Sequence, residues 1–510
     1  MKRTLWTLAV AVLGAVLAVP VQARPDKPLP GEMWKYAPGD LIEQLDSLSG
    51  NFRLHFTRKG AHAVPEGDID NSGKPDHVEQ LAATYDQALA FYEKLGFNKP
   101  PSDGTGGGDG RFDVYLVDFA GKGDGNFVQE TCKGDVCVGF MVQENDFAGY
   151  GYPSIAYANK ILSSHEFFHA IQAGYDAKQS SIIGEGSAVW ATEQFDPALQ
   201  DFENFLPGFL KHPDRSLDKP MLGPVDKFSY GSALFFQYLN ERYLPATVLH
   251  LWQDCQDNAQ GVANPSWFTA LAALLIRDHK TTFAEEFATF VSWNLFTGPY
   301  ADPTRSYAKG ASFPQVAMLS DTLPYRDNDL RVFYASSQYL RLPLQARTAV
   351  TAAVAATTDS TGLRVGLVAR KGKQFGEWLW LLPPFVPPLP TLDVTGADEL
   401  FVVAVNTAQT GESVRGSLCA GTPDEAALCL PKPPADDVAP TRADALGTET
   451  ASDEASGGAQ IEGGDAGAAT KSAPSAGCAA APTGAGATAW LAGLAVAAWA
   501  RRQRRCGVPR

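Results

Sequence analysis

The chain has 510 residues, 45% apolar and 19% charged, so it can form more than one folded unit and bury a sizeable core. Its 57 acidic residues outnumber the 42 basic ones, giving a formal charge of −15. A surface of that sign repels polyanions and argues against nucleic acid as a partner.

Residues 1–23 read as an export signal. Met1-Lys2-Arg3 supplies the positive start, Leu5 to Val19 is apolar, and Val21-Gln22-Ala23 offers a small-residue cleavage site. The apolar run is shorter than the roughly 20 residues that cross a bilayer. Export leads to an oxidising compartment, where Cys132 with Cys137 and Cys419 with Cys429 are spaced to pair locally. Cys255 has no obvious partner.

Residues 24–318 carry mixed patterns and form the expected main domain. Near its start, the twelve residues Asp68 to Glu79 fit a calcium-binding loop. Asp68, Asp70, Ser72, Asp76 and Glu79 supply oxygen donors at positions 1, 3, 5, 9 and 12, Lys74 offers its carbonyl, and Gly73 makes the sharp turn. Ca2+ is therefore an expected structural ion. A helix over His77 to Leu95 follows. The Asp/Gly cluster from Asp103 to Asp109 reads only as a turn, and Arg111 to Asp118 alternates as a strand. Helical patterns over 155–174 and 230–243 beside that strand make the class α+β.

The first of those two helices contains Ser163-Ser164-His165-Glu166-Phe167-Phe168-His169. Histidines four apart share one helix face and can grip one ion, while Glu166 beside the first reaches a water on that ion. Zn2+ suits such a set because it takes imidazole and carboxylate and leaves a position for water, whose pKa drops to about 7. Glu166 is then the general base. The third ligand is expected from Gly184-Glu185-Gly186, with the flanking glycines bringing Glu185 close and a second helix continuing from Ser187 to Phe195. Tyr230 is placed to donate a hydrogen bond to the developing oxyanion. The other six histidines have no partner at ligand spacing.

His-Glu-x-x-His followed by Glu-Gly-x-Ala-x-Trp resembles the gluzincin metallopeptidases and is similar to a family of secreted myxobacterial metalloproteases, over about residues 62–243. The resemblance implies a zincin-like fold and zinc-dependent hydrolysis of a protein or peptide substrate, with His165, His169 and Glu185 as ligands and Glu166 as base. One departure is Val189, where many gluzincins carry an acid four residues after the third ligand. Orientation of His165 is then expected from Glu193 or a backbone carbonyl.

Residues 319–430 switch to short runs at 332–335, 339–342, 349–355, 363–369, 377–382 and 400–405, broken by Gly, Pro, Asp and Thr, and read as a small β-sandwich. Residues 431–476 are too poor in aromatic and apolar side chains to offset their ordering entropy and read as a disordered acidic spacer. Residues 477–510 hold Gly477-Cys478, an uncharged stretch and the cluster Arg501-Arg502-Gln503-Arg504-Arg505. That tail fits a membrane span with arginines on the cytoplasmic side. It also resembles the sorting tail of myxobacterial surface proteins, which implies a processed, lipid-bearing Cys478. The combined expectation is an exported, surface-anchored monomeric metallopeptidase. A surface binding or adhesion protein with a non-catalytic zinc site, and a hydrolase acting on other carbonyls, also fit.

Overall fold

The computed structural model describes residues 23–411 and 413–431. The export signal, the acidic spacer and the C-terminal sorting tail with Cys478 lie outside the described residues. The described part is α+β, and among its residues no helix is long and apolar enough to cross a membrane.

The first sheet contains β1 (Ile42–Asp46), β2 (Phe52–Thr57), β3 (Phe112–Val117), β4 (Gly125–Lys133) and β5 (Val136–Glu144) in the order β1-β2-β3-β5-β4. β2, β3 and β5 run parallel, and β4 lies antiparallel to β5 at the edge. Crossover helix α1 (Asp76–Lys94) links β2 to β3, as parallel neighbours require. Alternation along the strands divides two cores. Val114, Leu116 and Met141 face the helices, whereas Tyr115, Val117, Val128, Phe140 and Val142 pack under the N-terminal strap through Trp34 and Tyr36.

Helix α2 (Ile155–Asp176) follows β5 and is buried on most sides. Its start is fixed by Ser154, whose hydroxyl accepts from Tyr157 N–H, a cap that contributes about 1 kcal/mol. Polar links set its register. Tyr85 donates to Gln143, Gln143 donates to Asn159 on α2, and Tyr92 donates to the Ser164 carbonyl at 2.9 Å. Helix α3 (Ser181–Phe195) packs against α2 and is tied to it by the 3.0 Å contact between the Ser164 and Thr192 hydroxyls. The helical layer continues with α4 (Asp201–Leu210), α5 (Lys227–Gly231), α6 (Ala233–Tyr243), α7 (Ala246–Asp254), α8 (Trp267–His279) and α9 (Phe283–Leu295). The single helix expected over 230–243 is two, broken at Ser232.

Among the described residues from Leu319 onward, the regular elements are strands and one short helix. These are β6 (Leu319–Ser320), β7 (Tyr325–Val332), β8 (Ser336–Pro343), β9 (Ala349–Ala356), β10 (Leu363–Lys371), β11 (Gln374–Phe375), β12 (Leu379–Leu381), β13 (Leu392–Asp393), β14 (Glu399–Asn406) and β15 (Val414–Gly421), followed by α10 (Pro423–Ala427). β11-β10-β14-β8-β6 and β13-β9-β15-β7 form two sheets that enclose a common apolar core. The run expected at 332–335 is the end of β7 and a turn with Ala335 at φ 46°, because β7 itself is polar and carries little sequence signal. This sandwich does not stand apart. Tyr339, Val368, Phe401, Val403 and Val405 turn from its inner core into the core of the helical layer. The Cys132–Cys137 and Cys419–Cys429 disulfides are formed, and buried Cys255 has no disulfide partner among the described residues.

Candidate metal centre

Helix α2 places His165 and His169 one turn apart, with ring centroids 5.0 Å from each other. Helix α3 brings Glu185 between them. Its Oε2 lies 3.3 Å from His165 Nε2 and 3.4 Å from His169 Nε2. Ligands at zinc–nitrogen and zinc–oxygen distances stand about 3.3–3.4 Å apart when arranged tetrahedrally around one ion. Both distances to Glu185 match that spacing, and all three donor atoms lie within 4.8 Å of one another, so the group could hold a metal ion.

Electrostatics agree with the donor set. Burial opposes charge on Glu185, but the adjoining imidazoles outweigh it and hold its carboxyl down at about 2. Burial likewise opposes a charged His169, and Glu185 outweighs that to raise the imidazole to about 9. The carboxylate thus holds a positive charge at the place where a cation would be gripped.

Glu185 does not follow a loop as its flanking glycines suggest. Both Gly184 and Gly186 lie inside α3, which begins at Ser181 rather than Ser187. Gly186 is required by proximity: a Cβ there would stand 2.2 Å from Ser232 Oγ and 2.7 Å from the Phe236 ring. Its missing side chain lets the α5–α6 junction press against α3.

Orientation of the histidines also differs from expectation. Glu193 is engaged by Lys309 at 2.7 Å and does not act on His165. The support visible is on the other histidine, where His169 Nδ1 meets Gln172 Oε1 at 2.7 Å. Gln172 is itself held, donating through Nε2 to the Gly184 carbonyl at 2.8 Å and to Ser187 Oγ at 3.0 Å. Trp252 Nε1 donates to the same hydroxyl at 3.0 Å. Gln172 lies three residues after His169 on α2, and that same-face spacing is the signal that could have found it.

Glu166, His169, Gln172, Glu185 and Tyr230 line one cavity of about 200 Å3, closed on one side by Asn126, Phe127 and Gln129 of β4. Burial raises the Glu166 carboxyl, while His169 and His165 pull it down. Tyr230 is buried between the Phe205 and His165 rings, at 4.9 and 6.0 Å, and its hydroxyl faces Glu185. Burial and the neighbouring carboxylates keep that phenol protonated.

The second cluster is Asp68, Asp70 and Asp76, whose carboxylates also converge. Asp68 accepts from Ser72 and Gly73 N–H at 2.9 and 3.0 Å, and Asp76 accepts from Ile69 N–H. Ser72 Oγ accepts from Lys74 N–H at 3.1 Å and donates to the Lys74 carbonyl at 3.4 Å. Glu79 does not join the three aspartates. Asp76 is the first residue of α1, so Glu79 sits about 4.5 Å further along the helix axis. No protein-family model matches the chain, and no curated protein matches its sequence.

Proposed function

We propose that this chain is an exported, surface-anchored zinc metallopeptidase of zincin-like fold. The observation that carries the reading is the convergence of two imidazole nitrogens on one carboxylate oxygen at 3.3 and 3.4 Å. His165, His169 and Glu185 would hold Zn2+, which when bound lowers the pKa of a water to about 7. Glu166, on the wall of the same cavity, accepts the proton as water attacks the scissile carbonyl and returns it to the leaving amine. The Tyr230 phenol, kept protonated, donates to the oxygen that gains charge.

A peptide is favoured over other carbonyl substrates by β4. This antiparallel edge strand lines the cavity, and an extended peptide can add to an open edge through its backbone. A purely structural zinc site in a binding protein is closed around its ion and has no use for a carboxylate beside an open cavity. Ca2+ is assigned a structural place at Asp68, Asp70 and Asp76. Export and anchoring through the C-terminal tail or a lipid on Cys478 rest on the sequence patterns at the two ends.

The decisive comparison is the purified protein against Glu166→Gln. We expect about one zinc per chain in both, and casein hydrolysis lower by roughly 10²–10⁴-fold in the variant. Equal hydrolysis would reject Glu166 as the base.

A further inference from the structure

Arg24 lies in the N-terminal strap yet is only 4% exposed. A buried guanidinium costs several kcal/mol in lost hydration unless its donors are engaged. Here they are. Nε and Nη2 donate to the two oxygens of Glu130 at 2.8 and 2.7 Å, Nη1 donates to the Tyr115 hydroxyl at 3.3 Å, and the fork also pairs with Asp113 and Asp103. Asp113 in turn meets His55 Nε2 at 2.7 Å.

The Asp/Gly segment that reads as a mere turn is the cradle of this group. A Cβ at Gly106 would stand 2.3 Å from Arg24 Nη2, and one at Gly107 would stand 1.9 Å from an Asp113 oxygen. The glycines are there because the guanidinium and carboxylates fill the space.

Glu130 is the informative partner. On β4, Gln129 faces Gly139 and Thr131 faces Val138, so Glu130 is the extra residue of a β-bulge. A bulge bends its strand and re-aims its side chains. Asn126, Phe127 and Gln129, immediately before it, are the residues of β4 that wall the candidate site. Among the described residues, β4 is an edge strand hydrogen-bonded to a neighbour on one side only.

We propose that Arg24 and Glu130 are positioning residues: their bidentate pair fixes the bulge in β4 and so sets the strand along which substrate lies. The anchoring itself stands on the geometry, and its effect on turnover rests on the metallopeptidase reading.

Glu130→Ala leaves Arg24 with Asp103, Asp113 and Tyr115, so the fold survives. Amide hydrogen exchange over residues 126–131 should accelerate about tenfold while α1 and α2 keep their protection. On a fluorogenic peptide KM should rise about fivefold with kcat within about twofold, and Glu130→Gln should restore part of the loss. Asp103→Asn, which touches the same guanidinium but not β4, should leave exchange over 126–131 unchanged. Unaltered exchange there in Glu130→Ala, or acceleration spread equally over α1 and α2, would overturn the proposal. If the unaltered protein cleaves no peptide, the metallopeptidase reading falls, and the exchange result alone decides the anchor.

Discussion

The two clusters that could hold a metal ion differ in how their donors are held. At His165, His169 and Glu185 the donors come from two helices locked side by side, are largely buried, and are backed by Gln172, Ser187 and Trp252. At Asp68, Asp70 and Asp76 they come from one surface loop and the first residue of α1, half-buried or exposed, and their carboxylates accept from the loop's own backbone N–H groups. The first arrangement brings charged and polar groups out of water and makes an ion the natural partner. The second can stand as a hydrogen-bonded turn, so an ion there adds stability without being required for the geometry.

The largest effect that would break this contrast is loss of zinc on removing one imidazole. In His169→Ala only His165 and Glu185 remain, fewer than the three protein ligands of an open catalytic site. Bound zinc should fall to near background by elemental analysis, and hydrolysis with it. A variant that kept one zinc per chain would mean the ion sits elsewhere. A smaller effect is expected behind the ligands. Gln172→Leu removes the acceptor at His169 Nδ1 while keeping side-chain volume, and chelator competition should show zinc affinity weaker by about 10–100-fold. Unchanged affinity would make Gln172 a packing residue.

What the sequence made legible follows the range of the interaction. His165 and His169 could be paired because a helix fixes the i, i+4 geometry within one turn. Cys132 with Cys137 could be paired for the same local reason, since they face each other across a hairpin. Glu185 was legible as the carboxylate that meets the two histidines, but its helix was not, because glycine at 184 and 186 argues against helix by propensity. Tertiary packing overrides it: Gly186 is where α3 meets Ser232 and Phe236. Least legible was the 103–109 segment, whose meaning depends on Arg24, 79 residues before Asp103 in the chain. Nothing local signals a charge that arrives from so far away.

The smallest expected effect belongs to the calcium loop and tests the other half of the contrast. Calcium that binds only the folded chain stabilises it by about 2.7 kcal/mol at 100 times its dissociation constant. Each kcal/mol raises the melting temperature of a large domain by about 2–4 °C. Calcium should therefore raise the melting temperature of the intact protein by several degrees. In Asp68→Asn, which keeps an oxygen to accept from Ser72 and Gly73 but removes the charge at loop position 1, the shift should vanish. Activity per folded molecule should not change, since the loop contributes no residue to the cavity at Glu166. If calcium leaves the unaltered protein's melting temperature where it is, then the backbone hydrogen bonds alone account for the loop, and matching a metal-loop pattern at five oxygen positions is insufficient without the fixed convergence found at Glu185.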